Sequence, residues 1–456
     1  MTGAAKIVVP IIVTGTKPPV PTPTPPQNIQ PANQIDLPPV PANSIPISTR
    51  VELEAIQKNL NGTFHLINDI DLSGAEWIPL GSYLSQINGF SGTLDGRGFS
   101  INNLYVSESS NRQCAGLFGV INGATIKNLG VNIGVRGVTA ADRSISYAGG
   151  LAGSARDKST ITNCYVTGAV AGSVTLDRTG YLLTAYAGGM FGSVYSSAGS
   201  NCFFTGTVNA SGFCVYAGGL AGSVSSGENM ESIVQRSYST ADIFINASTY
   251  NAHAGGLIGE ISNYVDIKNC FASGNVDIKA SAINIISAGG LIGLSYELGT
   301  ISNCYAYGNV SIYNDHDERL TEAGGLIGSR SFYNTEGKDP LINSYYLSSQ
   351  KLYGDIIINQ GKPLNETQMK RLSSLQAGTL PMFGNLKAVK ITGFLFYVIF
   401  GEKQKERRHQ KHSLFFSSID FVAALVQNAL SCSTNTIVGL YAAISSSIWI
   451  RDKIST

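Results

Sequence analysis

The sequence predicts an all-β protein: a single-stranded parallel β-helix (solenoid) of about nine coils, preceded by a Pro-rich linker and followed by an irregular tail. Three observations carry this. First, one short phrase returns seven times, as AGLFG at Ala115–Gly119 and then as AGGLAG, AGGMFG, AGGLAG and three copies of AGGLIG. The apolar residue after its glycines is Leu117, Leu151, Met190, Leu220, Leu257, Leu291 and Leu326, in steps of 34, 39, 30, 37, 34 and 35 residues. A period of that size is the signature of a solenoid or an array. Second, another phrase keeps step with it: NCYVTGAV from Asn163, NCFFTGTV from Asn201, RSYSTADI from Arg236, NCFASGNV from Asn269, NCYAYGNV from Asn303 and NSYYLSS from Asn343. Third, the 456 residues include 51 Gly, 21 Tyr and 18 Phe but only 13% charged residues, about half the usual share near 25%.

The phrases are too short and too rich in glycine for paired helices. Stretches such as Thr300–Gly308 and Asn309–Tyr313 mix β-branched and aromatic residues and end in turn formers, as short strands do. One coil cannot bury its own apolar face, so coils must stack. At ~4.8 Å per coil, nine coils between Thr49 and Gln350 would make a rod on the order of 40 Å long.

The domain reading follows in chain order. Residues 1–46 hold 12 of the 16 prolines and read as a disordered, polyproline-like spacer. Residues 47–350 are the β-helix, with opening coils over 47–110 and repeats over 111–350. Residues 351–383 close it. Residues 384–456 carry nine Lys/Arg against four Asp/Glu and no repeat phrase; they read as weakly helical or disordered. The run Ile391–Phe400 is half the length of a membrane span. The tail is either a weak membrane-associating segment or, the reading favoured here, a terminus altered by truncation or frameshift. The stretch Ile7–Val13 is broken by Pro10 and makes a poor signal peptide, so any export signal is expected upstream, in a longer chain of which this is a fragment.

Charge excludes one class of function. Lys+Arg 31 against Asp+Glu 30 leaves no basic excess for phosphate neutralisation, which argues against nucleic acid as a partner. The glycines of AGGLIG are not followed by GK[ST], so no P-loop forms. HExxH and the calcium nonapeptide are also missing. No metal and no cofactor is expected.

Three registers run through the second phrase. Cys164, Cys202, Cys270 and Cys304 share one position with Ser237 and Ser344, which reads as an inward ladder of small, buried, free thiols. Asn163, Asn201, Asn269, Asn303 and Asn343 form a turn register, since Asn tolerates left-handed backbone and its amides can bond along a stack. Tyr165, Phe203, Tyr238, Phe271, Tyr305 and Tyr345 form an aromatic register. If the Cys position faces inward, alternation turns these rings outward, where they either stack on each other or meet a ligand. Carboxylates do not recur at matched positions: Asp242 aligns with Thr207 and Asn275, Asp157 with Ser196, and Glu297 with Asn263. Asp69 and Asp71 have a turn role, and Asp315–Glu318 reads as a solvated loop tip.

Repeats of the form AGGLIG…NCYAYGNV resemble the GLUG motif of bacterial surface proteins. Gly62–Asn103 is similar to the segment that opens such arrays, and Leu364–Leu372 to the one that closes them. The resemblance implies an extracellular or cell-surface role like that of filamentous-haemagglutinin-like adhesins, and the lack of matched carboxylates and of HExxH makes a non-enzymatic role the expectation. Partners would then be host or matrix glycans or proteins, or cell-wall components. A pectin-lyase-like carbohydrate-active enzyme and a passive spacer are the alternatives.

Overall fold

The computed structural model describes residue 40 and residues 43–399, except 82–88, 108–112, 143, 175–182, 229, 282–283, 298, 316–320, 332–340, 377–385 and 392–393. The Pro-rich linker and most of the tail therefore lie outside the described residues, as does the separate unit from Phe400 onward. The chain is a parallel β-solenoid of about seven turns. Every strand pairing between coils is parallel, in a ten-stranded, a twenty-stranded and a seven-stranded sheet.

One coil shows the pattern. Ile258–Asn263 lies in the seven-stranded sheet and Val265–Lys268 in the ten-stranded sheet. The chain then turns at Asn269 and runs outward through Phe271–Ala272 and Val276–Ala280. It returns along Ile286–Gly289 to the next glycine corner. The outgoing and returning strands touch each other, burying Val276 and Ile278 with Ile286 and Ala288. Each coil is thus a three-sided body with an arm, and one apolar core continues through both.

The turn count falls below nine because the opening segment contributes to two sheets but not to the third. Among the described residues it reaches the seven-stranded sheet through the isolated bridges Leu80↔Phe118 and Phe90↔Ile121. The end of this segment is closed by a helix, Arg50–Ala55, that the repeat pattern does not announce. Thr49 and Glu52 form a capping box, and Leu53 and Ile56 are fully buried over the first coil. One boundary also moves. The first strand, Ile45–Ile47, begins inside the segment read as linker. Leu386–Ile391 and Phe394–Ile399 form an antiparallel pair. Among the described residues no helix is long and apolar enough to cross a membrane.

The glycines of the repeated phrase act through space rather than through conformation. The last one falls at Gly153, Gly192, Gly222, Gly259, Gly293 and Gly328. A Cβ on Gly192 or any later member would come within 2.5–2.7 Å of the carbonyl oxygen of the previous glycine in the column. That is closer than real Cβ atoms approach, so coils can stack at this corner only without side chains.

Elsewhere the interior column is filled. In the ten-stranded sheet Phe64, Leu94, Ile126, Ile161, Val234, Ile267 and Ile301 stand in register, with Gly199 between Ile161 and Val234. A Cβ on Gly199 would meet nothing within 4 Å, and an apolar void of ≈ 20 Å³ opens there between Ile161, Met190, Phe191, Leu220 and Val234. Gly199→Val is expected to raise the unfolding free energy by about 1–2 kcal/mol, from buried methyl groups and reduced freedom of the unfolded chain. Urea denaturation checks this; a lowered midpoint would contradict the packing described.

Candidate functional site

The three registers meet at one corner of the coil. Asn163, Asn201, Asn269, Asn303 and Asn343 all have φ between 46° and 56°, the left-handed region Asn tolerates better than most residues. Their amides bond along the stack: Asn163 Nδ2 donates to Asn128 Oδ1 at 3.1 Å, Asn201 to Asn163 at 2.9 Å and Asn303 to Asn269 at 3.2 Å. Arg236 takes the position between Asn201 and Asn269 with φ 50° and interrupts the ladder, leaving the buried Asn201 Oδ1 without an acceptor role.

The residue after each Asn points inward. Cys164, Cys202, Cys270 and Cys304 are at most 3% exposed and are free thiols. Each Sγ lies 3.2–3.3 Å from the carbonyl oxygen two residues earlier. Ser237 and Ser344 make the same contact through Oγ at 2.8 and 2.9 Å. From Cys164 onward the slot takes a small side chain that donates to the same carbonyl, so Cys and Ser interchange there; the preceding coil fills it with the buried Leu129 instead. Burial pushes the Cys202 thiol up to about 12 and Cys164 and Cys270 well above the ordinary thiol range. These thiols are poor nucleophiles.

The aromatic register lies on the opposite face of the same strands. Tyr165, Phe203, Tyr238, Phe271 and Tyr305 form a continuous stack with centroids 4.7–5.3 Å apart and planes within 10° of parallel; Tyr345 pairs with Tyr305 in the next coil. The first ring lies over Gly130, whose missing side chain makes room for it. The rings look at one another along the stacking direction, so inner members offer a ligand their edges and hydroxyls rather than their faces. That is also why most are half-buried although they point away from the core, and why Tyr305 is buried.

A second aromatic column was not singled out from the sequence. The residue preceding AGG is Tyr147, Tyr186, Tyr216, His253, Ser287 and Glu322 in successive coils. Tyr147, Tyr186 and Tyr216 stack at 5.1 Å, and His253 continues the stack at 5.3 Å. These side chains turn toward the seven-stranded sheet, where Ser193, Ser223, Glu260 and Leu294 form the facing column. His253 is buried, bonds Ser287 Oγ at 2.7 Å, and is held neutral, with burial lowering it to about 3. Glu260 lies close enough to Tyr186 and Tyr216 for its charge to raise both phenols further, on top of their burial. Burial pushes its own carboxyl up to about 7. The signal was present as the one variable position before an invariant AGG, but its mix of Tyr, His, Ser and Glu hides the column.

Asp69 and Asp71 are held by local hydrogen bonds. Asp69 Oδ1 accepts from the Ser100 N–H at 2.7 Å, and Asp71 Oδ1 accepts from Ser73 N–H and Asn103 Nδ2. Asp315 is exposed, and the rest of Asp315–Glu318 lies outside the described residues. Among the described residues no cluster of His, Cys, Asp and Glu could hold a metal ion.

Comparison with known proteins agrees with the repeat reading. The family model described as "The GLUG motif" matches residues 144–171 and 250–277. No curated protein matches the chain. Among solved structures, a candidate immunoglobulin A1 protease from Bacteroides ovatus has a TM-score of 0.47 and 18% identity, covering 78% of this chain and 92% of that one. A second, named IgA1 protease, has a TM-score of 0.47 and 15% identity; the match covers 82% of this chain but 27% of that protein.

Glu260 links the second column to stability. Because the folded carboxyl titrates near 7 and the unfolded one near its ordinary 4.5, the unfolded chain releases its proton first as pH rises. Glu260's own contribution to stability is expected to be fully present below about pH 4.5 and to fall by about 2–3 kcal/mol by pH 8. His253, buried neutral, acts the other way and costs stability as pH falls below its ordinary 6.5. Glu260→Gln should flatten that part of the profile; an identical profile in the variant would show that another group sets it.

Proposed function

We propose that this GLUG-motif solenoid is a non-enzymatic, secreted or cell-surface protein of adhesin type, presenting a repetitive lateral face to an extended glycan or protein ligand. The observation that carries this reading is the aromatic column from Tyr165 to Tyr345, which points away from the core and repeats once per coil. A ligand with its own repeat can touch several coils at once. Weak edge and hydroxyl contacts then add, because each later contact is intramolecular. The glycine corners and the Asn ladder support the same reading by keeping the spacing of that face constant.

Support for binding over glycoside hydrolysis comes from the surroundings of Glu260. Such hydrolysis uses two carboxyl groups roughly 5–9.5 Å apart. The neighbours of Glu260 in its own column are Ser223 and Leu294, and the column it faces presents Tyr216, His253 and Ser287 on those coils. At these adjacent positions neither column offers Glu260 a second carboxyl.

The test is a glycan-array and matrix-protein binding screen of the full chain beside a Tyr165/Tyr238/Tyr345→Phe triple variant. That variant keeps the ring stack and removes only the hydroxyls. Saturable binding, reduced about tenfold or more in the variant (about 1.4 kcal/mol or more), is expected. No binding to either panel would make the solenoid a passive spacer, and turnover of any glycan on the array would make it an enzyme.

A further inference from the structure

The outer face of the outgoing arm strands differs from the Tyr165 column in one decisive respect: its rings are not stacked on each other. Phe244 stands between Asn209 and Asp277 in its register position, not between aromatics. Along the same position the next coils bring Ser311 and then Tyr353. The neighbouring position, two residues on, runs Ser211, Asn246, Lys279 and Tyr313. Phe244, Tyr313 and Tyr353 are 41%, 65% and 57% exposed. None of the three is sandwiched between rings, as every inner member of the Tyr165 column is.

The surface around Phe244 is also concave. A depression of ≈ 490 Å³ is lined by Asn209, Ser211, Phe244, Asn246, Asp277 and Lys279. Its polar side chains are two amides, three hydroxyls (Thr139, Ser173 and Ser211), one carboxyl and one ammonium, so donors and acceptors are mixed and the opposite charges cancel. Such a lining suits a ligand rich in hydroxyls and without net charge. Phe244 and Tyr353 are three coils apart, about 14 Å along the stacking direction, with Tyr313 beside the path between them. An extended chain lying along the coils would meet the depression first and the two tyrosines after it.

We propose that this arm face is a binding site for an extended, neutral oligosaccharide. The C–H faces of its sugar rings would stack on Phe244, Tyr313 and Tyr353, and its hydroxyls would bond to Asn209, Asn246, Asp277 and Lys279. Apolar C–H patches on a sugar bury against a ring face while the hydroxyls, which must stay hydrogen-bonded, reach the amides and charged groups beside it. The site deepens the adhesin-type reading but uses different residues, so the two can fail separately.

Binding of cellohexaose, xylohexaose and chitohexaose to the full chain, followed by calorimetry, tests it, with polygalacturonate as a polyanion control. We expect saturable binding of at least one neutral probe, weakened about tenfold or more, or about 1.4 kcal/mol or more, in both Phe244→Ala and Tyr353→Ala. Both residues are exposed, so the unfolding temperature should not move, and Tyr264→Ala, which removes an exposed ring at the corner between the seven- and ten-stranded sheets, should bind the probe as before. No binding of any neutral probe overturns the proposal. So does binding that the two arm variants leave intact, or binding of polygalacturonate alone. Loss confined to the Tyr165/Tyr238/Tyr345→Phe variant assigns the sugar to the first column instead.

Discussion

The structure depends on one steric constraint: at the corner written AGGLxG, the backbone of each coil rests directly on the backbone of the one before. Gly259 lies against the carbonyl of Gly222, and Gly293 against that of Gly259, with no space for a Cβ between them. Contact this close fixes how far apart successive coils sit and how each is rotated on the last. Once that is fixed, every strand outside the corner pairs in parallel with its counterpart, and like residues stand above like.

The columns are consequences of this register rather than causes of it. A single amide bond between Asn201 and Asn163, or one pair of stacked rings, contributes on the order of 1 kcal/mol. Nearest-neighbour terms of that size add along a solenoid. Their interruptions are informative for the same reason. Gly199, which leaves the core column empty, and Asn201, whose amide oxygen is left unpaired by Arg236, belong to the same coil. The Ala198–Asn201 edge is therefore the least supported part of the ten-stranded sheet. The corner glycines of the same coil, Gly188 and Gly192, are as tightly packed as the rest, so the defect is contained.

Much of this was legible in the sequence because a solenoid repeats its physics. Seven glycine phrases in step with six Asn/Arg-Cys/Ser-aromatic triplets define the coil, its inward position and its turn. What was not legible has particular causes. The arm formed by Val276–Ala280 and Ile286–Gly289 is joined by loops that vary in length, so no periodic phrase marks it. The Tyr147–Glu322 column changes residue type from coil to coil and leaves no motif. The capping helix over Arg50–Ala55 carries its signal, Thr49 with Glu52, but is only six residues long. The stacking of Tyr165 with its neighbours is implied by register alone, yet the sequence does not say that stacking consumes the ring faces. The unstacked rings of Phe244, Tyr313 and Tyr353 follow from residues that do not repeat, and repeat reading passes over such residues.

The most direct test of the account compares two glycine substitutions of identical chemistry, Gly259→Ala at the corner and Gly199→Ala in the ten-stranded sheet, by urea denaturation. A Cβ at Gly259 would come within 2.5 Å of the Gly222 carbonyl oxygen, whereas one at Gly199 meets nothing within 4 Å. Backbone contact at the corner should make Gly259→Ala destabilise the fold by about 3 kcal/mol or more, or prevent folding, while Gly199→Ala is neutral or stabilising by up to about 1 kcal/mol. Equal effects at the two positions would contradict this, because the corner would then owe nothing to backbone contact.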